Sequence, residues 1–125
     1  MNRIKHILIV DDDAAVRSTL CENLRESGFD VSEAENGIQG LAMINRCRIP
    51  NLVITDIIMP GMDGLQMIEE IRKINFGIPI FVISGGARIE AEDFLKEAQA
   101  QGANAVFPKP IDFDRLEATI QQMMK

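Results

Sequence analysis

Short β-favouring runs alternate with helix-period segments five times along this chain, and this alternation constrains the fold more than any other feature. The runs cover residues 7–10, 29–34, 52–55, 78–83 and 105–107. Each is followed by a segment in which apolar residues recur every three or four positions. Alternating strands and helices predict a parallel sheet that is covered by helices on both faces.

The second run and the rules of chain connection narrow the topology. Residues 29–34 alternate only weakly between apolar and polar side chains, which predicts a half-exposed edge strand. Crossovers between parallel strands are right-handed. These features favour the strand order 2-1-3-4-5 of the flavodoxin-like α/β folds, a (βα)5 chain in three α/β/α layers. In that order the first and third strands meet at the switch point, where ligands bind beyond the carboxyl ends of the strands.

Length and composition fit one folded domain over residues 1–125. Hydrophobic residues make up 46% of the chain, and the formal net charge is −6. An acidic chain without a basic and aromatic cluster is a poor candidate for direct nucleic-acid binding. No apolar run is long enough to cross a bilayer or resembles a signal peptide, so we expect no membrane association and a cytoplasmic location. Cys21 and Cys47 lack metal-site and disulfide spacing and are predicted to be ordinary thiols.

Polar side chains follow four of the five predicted strands, at the carboxyl end of each. Asp11 and Asp12 follow the first strand, Asp56 the third, Ser84 the fourth and Lys109 the fifth. Because the carboxyl ends of parallel strands lie at one edge of the sheet, we expect these side chains to converge. Two neighbours have simpler predicted roles, since Asp13 should cap the helix that follows it and His6 should lie on the surface.

The predicted cluster fits metal-dependent phosphoryl transfer. Three carboxylates in one place repel each other unless a cation neutralises them, and oxygen ligands without His or Cys favour Mg²⁺ or Mn²⁺. Phosphoryl transfer depends on in-line positioning and on neutralising charge at the equatorial oxygens. The metal, the Lys109 ammonium and the Ser84 hydroxyl would each serve one of these oxygens, and the Asp56 carboxylate would be the nucleophile.

These motifs, in this order and at these spacings, resemble the receiver domain of two-component response regulators. The matching pieces are residues 9–12, residues 56–64, Ser84-Gly85 and Lys109-Pro110, so the resemblance extends over essentially the whole chain. It implies a phosphoacceptor, a switch hydroxyl, a lysine, two acids of which the second binds the metal directly, a metal-binding backbone carbonyl and a cis peptide bond before a proline. In this sequence the phosphoacceptor is Asp56, the switch hydroxyl belongs to Ser84 and the lysine is Lys109. The two acids are Asp11 and Asp12, of which Asp12 binds the metal directly. The metal-binding carbonyl belongs to Ile58, and the cis peptide bond joins Lys109 and Pro110.

The resemblance also implies partners and an output. A sensor histidine kinase or a histidine phosphotransfer protein would donate the phosphoryl group from a phosphohistidine. A downstream protein would bind the surface formed by the fourth helix, fifth strand and fifth helix, roughly residues 88–124. Such a domain catalyses only its own phosphorylation and dephosphorylation, and we therefore do not expect an enzyme in the ordinary sense.

One position departs from the family pattern where switching is concerned. The switch aromatic lies three residues before the lysine, where this chain has Val106. Phe107 cannot substitute for it, because neighbouring strand residues point to opposite faces. We therefore expect switching to depend on the loop after Ser84, which contains Gly85 and Gly86.

A second departure concerns the lifetime of the phosphoryl group. Ile58 lies two residues after Asp56, and Gly86 lies two residues after Ser84. Neither side chain can orient an attacking water molecule. We expect the phosphoryl group to be lost slowly unless a partner phosphatase acts on it.

Three other functions share parts of the pattern. A haloacid-dehalogenase-type phosphohydrolase would use Asp11 and Asp13, with Asp11 as its nucleophile, but that family needs a longer chain and a later acidic motif. A flavin mononucleotide-binding module would need a Ser/Thr/Gly-rich phosphate loop where this chain has three aspartates. A receiver-like docking module without phosphotransfer would not need the complete set of acids, acceptor, hydroxyl and lysine.

Overall fold

Five parallel strands form one sheet in the order that the sequence predicts. The computed structural model describes residues 5–46, 49–56, 62, 64–74, 77–84, 96 and 102–123, without the side chains of residues 45, 46 and 84. The strands pair in the order β2-β1-β3-β4-β5, so the flavodoxin-like topology is confirmed and β2 lies at an edge. They are β1 (His6–Val10), β2 (Asp30–Ala34), β3 (Leu52–Asp56), β4 (Ile80–Ser84) and β5 (Ala105–Pro108).

Helices cover both faces of the sheet. Within the described residues they are α1 (Ala14–Glu26), α2 (Gly37–Arg46), α3 (Gly64–Ile74) and α4 (Phe113–Met123). The helix-period segment predicted to follow the fourth strand lies outside the described residues, apart from Lys96, which is helical and exposed. Because α1 and α4 pack on one face while α2 and α3 pack on the other, the three-layer α/β/α architecture is confirmed. In the described part of the chain, every helix is too short or too polar to cross a membrane.

Strand alternation divides the hydrophobic core into two parts. Ile7 and Ile9 of β1 pack in the α1–α4 core, whereas Leu8 and Val10 pack in the α2–α3 core. All four side chains are at most 1% exposed. A strand that is buried on both faces needs apolar residues at every position, which is why β1 is a continuous apolar run in the sequence.

The register aligns the carboxyl ends of the strands at one edge of the sheet. Val10, the last residue of β1, pairs with Ala34 of β2 and with Thr55 of β3. Asp56 follows Thr55, and at the other side of the sheet Ser84 pairs with Pro108. Residues that end these strands therefore share one edge, as the arrangement of polar residues predicts.

The amino end of α1 also forms as the sequence predicts. Asp13 is the N-cap, and its carboxylate accepts hydrogen bonds from the Ala15 and Val16 backbone N–H groups. After the last turn, Gly28 has a φ of 98°, a left-handed conformation that glycine adopts without a steric penalty. The hydrogen bonds of Asp13 fix where the segment after β1 turns into the helix.

His6 is not the surface residue that the sequence predicts. It begins β1, is 8% exposed, and its Nε2 lies 2.6 Å from Ser32 Oγ on β2. Asn51 Oδ1 accepts hydrogen bonds from the Lys5 and His6 backbone N–H groups, and the Asn51 N–H donates to the His6 carbonyl. Backbone pairing on both sides, which a hydrophobic pattern does not reveal, thus extends the strand back to this histidine.

Candidate functional site

Three of the predicted site residues come into contact at the carboxyl edge of the sheet. Asp11 follows β1, Asp56 is the last residue of β3, and Lys109 follows β5. The Lys109 Nζ lies 3.1 Å from Asp56 Oδ2 and 3.5 Å from Asp11 Oδ2. The strand order explains this contact, because β1 and β3 are neighbours and the long lysine side chain reaches them from β5.

Asp12 completes a cluster of carboxylates with Asp11 and Asp56. One oxygen from each of the three residues lies within 4.8 Å of the others. Asp11 and Asp56 are 0% and 5% exposed, whereas Asp12 is exposed. Buried oxygens on one side and an exposed carboxylate on the other suit a hard divalent cation that keeps part of its hydration shell.

Asp11 has one oxygen that the protein leaves available. Its Oδ1 accepts a hydrogen bond of 2.9 Å from the Asp13 N–H. Its Oδ2 is buried and accepts no hydrogen bond from the described residues, although Lys109 Nζ lies at ion-pair distance. Buried polar atoms are normally satisfied, so this oxygen marks a position that a bound cation would complete.

Among the described residues, negative charge exceeds positive charge at the site. Burial, reinforced by the negative charge of Asp56, raises the pKa of Asp11, although the Asp13 N–H and Lys109 act in the opposite direction. Burial lowers the pKa of Lys109, but its attraction to Asp56 and Asp11 outweighs burial and the net pKa is raised. Within the described residues, one ammonium lies beside three carboxylates, and a divalent cation would bring this group close to neutrality.

Two residues hold the backbone of the acids, and sequence reasoning missed both. Thr55 is fully buried, and its Oγ1 donates to the Asp56 carbonyl at 3.0 Å. Arg17 of α1 donates from Nη1 to the Asp11 carbonyl at 2.7 Å. No local motif signals either contact, because a threonine in a strand and an arginine in a helix are ordinary residues at such positions.

Two predicted site residues lie partly or wholly outside the described structure. Ser84 ends β4, but its side chain is not among the described groups, and Ile58 lies outside the described residues. The peptide bond between Lys109 and Pro110 is cis, as the resemblance implies.

The two residues near the missing switch aromatic lie on opposite faces of β5, as strand alternation predicts. Val106 is partly buried against the α2–α3 core, whereas Phe107 is buried in the α1–α4 core. The Phe107 ring lies 5.3 Å from the Phe81 ring, and the Arg115 guanidinium lies 4.8 Å from its centre. Phe107 is thus a core residue, and its ring belongs to the face opposite that of Val106.

A pocket of about 300 Å³ opens beside Lys109, between α1 and the segment that leads into α4. Apart from Lys109 and the Thr19 hydroxyl, its lining side chains are apolar. The lining residues are Ala15, Val16, Thr19, Lys109, Pro110, Ile111 and Phe113.

The doubly covered parallel sheet and the acid–lysine cluster at its carboxyl edge define a class of signalling domain. The family model described as the response regulator receiver domain matches residues 7–121. The chain belongs to the response regulator receiver family of two-component signal transduction. Receiver domains are signalling domains rather than classical enzymes, they generally bind Mg²⁺, and response regulators partner with histidine kinases.

Similar proteins include both short and long chains. The transcriptional regulatory protein GlrR of Escherichia coli K12 is 35% identical over 120 residues, which are 96% of this chain and 26% of GlrR. Sporulation initiation phosphotransferase F of Bacillus subtilis is 30% identical over 118 residues, which are 94% of this chain and 92% of that protein. The crystal structure of a CheY-like receiver domain protein from Methanospirillum hungatei is 31% identical, with a TM-score of 0.85 over 97% of this chain and 94% of that one. This chain spans about a quarter of the length of GlrR.

Proposed function

We propose that this chain, as a single receiver domain over residues 1–125, accepts a phosphoryl group on Asp56 from a phosphohistidine. The observation that carries the proposal is the 3.1 Å contact between Lys109 Nζ and Asp56 Oδ2, beside two further acids. A lysine–aspartate pair alone could serve stability. Two additional carboxylates raise the electrostatic cost of the cluster, which a purely structural pair would not require.

We assign the cation site to the acids of the cluster. Mg²⁺ or Mn²⁺ would be held by Asp11, Asp12 and Asp56, with the Ile58 backbone carbonyl as a further ligand. The buried Asp11 Oδ2 and the oxygen-only set of donors support this assignment. When bound, the cation supplies charge neutralisation at the transferred phosphoryl group.

In the transfer step, a carboxylate oxygen of Asp56 forms a bond to phosphorus while the bond between phosphorus and the donor imidazole nitrogen breaks. The electron pair of the broken bond stays on the imidazole, and Asp56 becomes an acyl phosphate. Lys109 holds the carboxylate before transfer and pairs with a phosphoryl oxygen afterwards. The Ser84 hydroxyl donates a hydrogen bond to another phosphoryl oxygen, and both contacts stabilise the developing charge.

The donor is a sensor histidine kinase or a histidine phosphotransfer protein, and the output is altered binding of a downstream protein at the surface of residues 88–124. The acyl phosphate adds about 1.5 to 2 negative charges, which shifts the balance between pre-existing conformations. Because Val106 replaces the switch aromatic, the loop after Ser84 carries the change. The domain acts in the cytoplasm and binds neither nucleic acid nor membrane directly.

Acetyl phosphate, Mg²⁺ and intact-mass measurement test the proposal. Wild type should gain the mass of one phosphoryl group, and Asp56→Asn should gain none. Asp114→Asn, an exposed acid on α4, is the matched control and should behave as wild type. A mass gain in Asp56→Asn would favour the phosphohydrolase-type reaction instead. So would a phosphoryl group found on Asp11 in wild type, together with no mass gain in Asp11→Asn.

The same samples test the docking alternative and the lifetime of the phosphoryl group. A docking module without phosphotransfer predicts no mass gain at any Mg²⁺ concentration. Once acetyl phosphate is removed, the phosphorylated protein should keep its added mass for minutes or longer, since neither Ile58 nor Gly86 can orient water. Decay within seconds would contradict the slow turnover.

A further inference from the structure

Arg17, a residue of α1, binds the backbone of the acidic segment that follows β1. Its Nη1 donates to the Asp11 carbonyl at 2.7 Å, and its Nε donates to Glu33 Oε1 at 3.2 Å. The Arg17 side chain is only 14% exposed. An arginine that gives up this much hydration for one carbonyl and one carboxylate is fixed in place, unlike a solvated surface arginine.

The carbonyl that Arg17 binds belongs to the peptide unit between the two acids. Because a peptide unit is planar, the direction of the Asp11 carbonyl also fixes the N–H and the starting direction of Asp12. The Asp11 N–H is already bonded to the Ala34 carbonyl, and Asp11 Oδ1 is bonded to the Asp13 N–H. Arg17 adds the contact that sets the plane of the intervening peptide.

Glu33 determines where the Arg17 guanidinium lies. It belongs to β2 and pairs in register with Ile9 of β1, close to the carboxyl edge of the sheet. Arg25, further along α1, also approaches this carboxylate, with Nη2 at 3.6 Å from Oε2. Arg25 donates instead to the Val31 carbonyl, so the two arginines share an anchor but differ in their contact with the acids.

We propose that Arg17 is a positioning residue for the cation site, holding the peptide between Asp11 and Asp12 so that both carboxylates face one cation, with Glu33 as its anchor. The inference rests on the proposed function, because the cation is the one that serves Asp56. The effect is geometric and not electrostatic. The positive charge of Arg17 repels a cation, so loss of charge alone would strengthen binding, whereas loss of the contact weakens it.

Arg17→Lys separates geometry from charge, because lysine keeps the charge but lacks the planar fork that reaches two acceptors. We expect the Mg²⁺ affinity of the metal-free protein, measured by isothermal titration calorimetry, to fall about tenfold, as for other losses of a group that orients a metal ligand. Arg25→Lys, on the same helix and at the same carboxylate, should bind Mg²⁺ as wild type does. Urea unfolding without Mg²⁺ shows whether each variant is folded.

Phosphorylation by acetyl phosphate provides a second readout. In Arg17→Lys, the Mg²⁺ concentration at half-maximal rate should rise by the same factor, while the rate at saturating Mg²⁺ stays within about twofold of wild type. Glu33→Gln tests the same contact from its other end and should weaken Mg²⁺ binding in the same direction. The double variant should add little to Arg17→Lys, because both changes act through one contact.

Wild-type Mg²⁺ affinity in Arg17→Lys and Glu33→Gln, or an equal loss in Arg25→Lys, would overturn the inference. A lower rate at saturating Mg²⁺ with an unchanged half-maximal concentration would overturn it as well. Failure of the proposed function gives a different result, since wild type itself would then gain no phosphoryl group on Asp56.

Discussion

Replacement of Lys109 by methionine should destabilise the metal-free protein at neutral pH. Methionine retains much of the apolar stem of lysine but removes the ammonium. Asp11 and Asp56, which are 0% and 5% exposed, would then lose the ammonium group that both carboxylates contact. The Lys109 side chain is 20% exposed, so water compensates only in part for the loss of its two ion pairs.

Two estimates bound the size of this effect. At 3.1 Å and an effective dielectric constant of about 20, one ion pair is worth roughly 5 kcal/mol before desolvation is subtracted. The variant can instead relieve the repulsion by protonating Asp11, which from the ordinary pKa of 3.8 costs about 4 kcal/mol near neutral pH. We expect the free energy of unfolding to fall by about 3 kcal/mol, since removing one partner of a buried pair leaves the other uncompensated.

Urea unfolding in the presence of a chelator measures this loss. The contribution of Lys109 requires ionised carboxylates, so the difference between wild type and Lys109→Met should shrink as the pH falls towards about 4. It should also fade above the raised pKa of Lys109, where the ammonium loses its proton. Equal stability at neutral pH, or a difference that persists unchanged into acid, would refute the ion-pair account.

Asp11→Asn should raise the free energy of unfolding of the metal-free protein at neutral pH, because the raised pKa of Asp11 means that its ionised form opposes folding. In urea unfolding this gain in stability should vanish below a pH of about 3.8, and destabilisation at neutral pH would contradict the prediction. Arg72→Met should lower the free energy of unfolding by about 2 to 3 kcal/mol, since the Arg72 guanidinium donates to two backbone carbonyls and one side-chain amide of neighbouring segments. The control variant Lys73→Met, which changes the adjacent exposed residue, should leave the urea midpoint unchanged. Burial raises the pKa of Cys21 to about 11, so in a Cys47→Ser variant the Cys21 thiol should resist a disulfide-exchange reagent until urea unfolds the protein. Reaction at the rate of a free cysteine would argue against its burial.

The sheet and most of the candidate site are predictable because local sequence carries the necessary information. Strands buried on both faces appear as continuous apolar runs, and the polar residue at the end of each run marks the carboxyl edge. Asp11, Asp56 and Lys109 could therefore be assigned to one cluster before any distance was known. The structure adds the distances between them and the depth at which the two acids are buried.

The details that local sequence does not reveal depend on contacts between distant segments. The apolar run at residues 78–83 predicts a strand that starts too early, because Pro79 has no N–H to donate and regular pairing begins at Ile80. His6 is buried by its neighbours in the sheet. Arg17 meets Glu33 only because the register of β2 against β1 brings them together, so its link to the acids has no sequence signal.

Asp56 ends the middle strand of the sheet, with β1 paired on one side and β4 on the other. Backbone amides in such a strand are released to hydrogen exchange only by the largest openings of a protein. The main chain beneath the proposed acceptor should therefore remain closed through the smaller fluctuations of the domain.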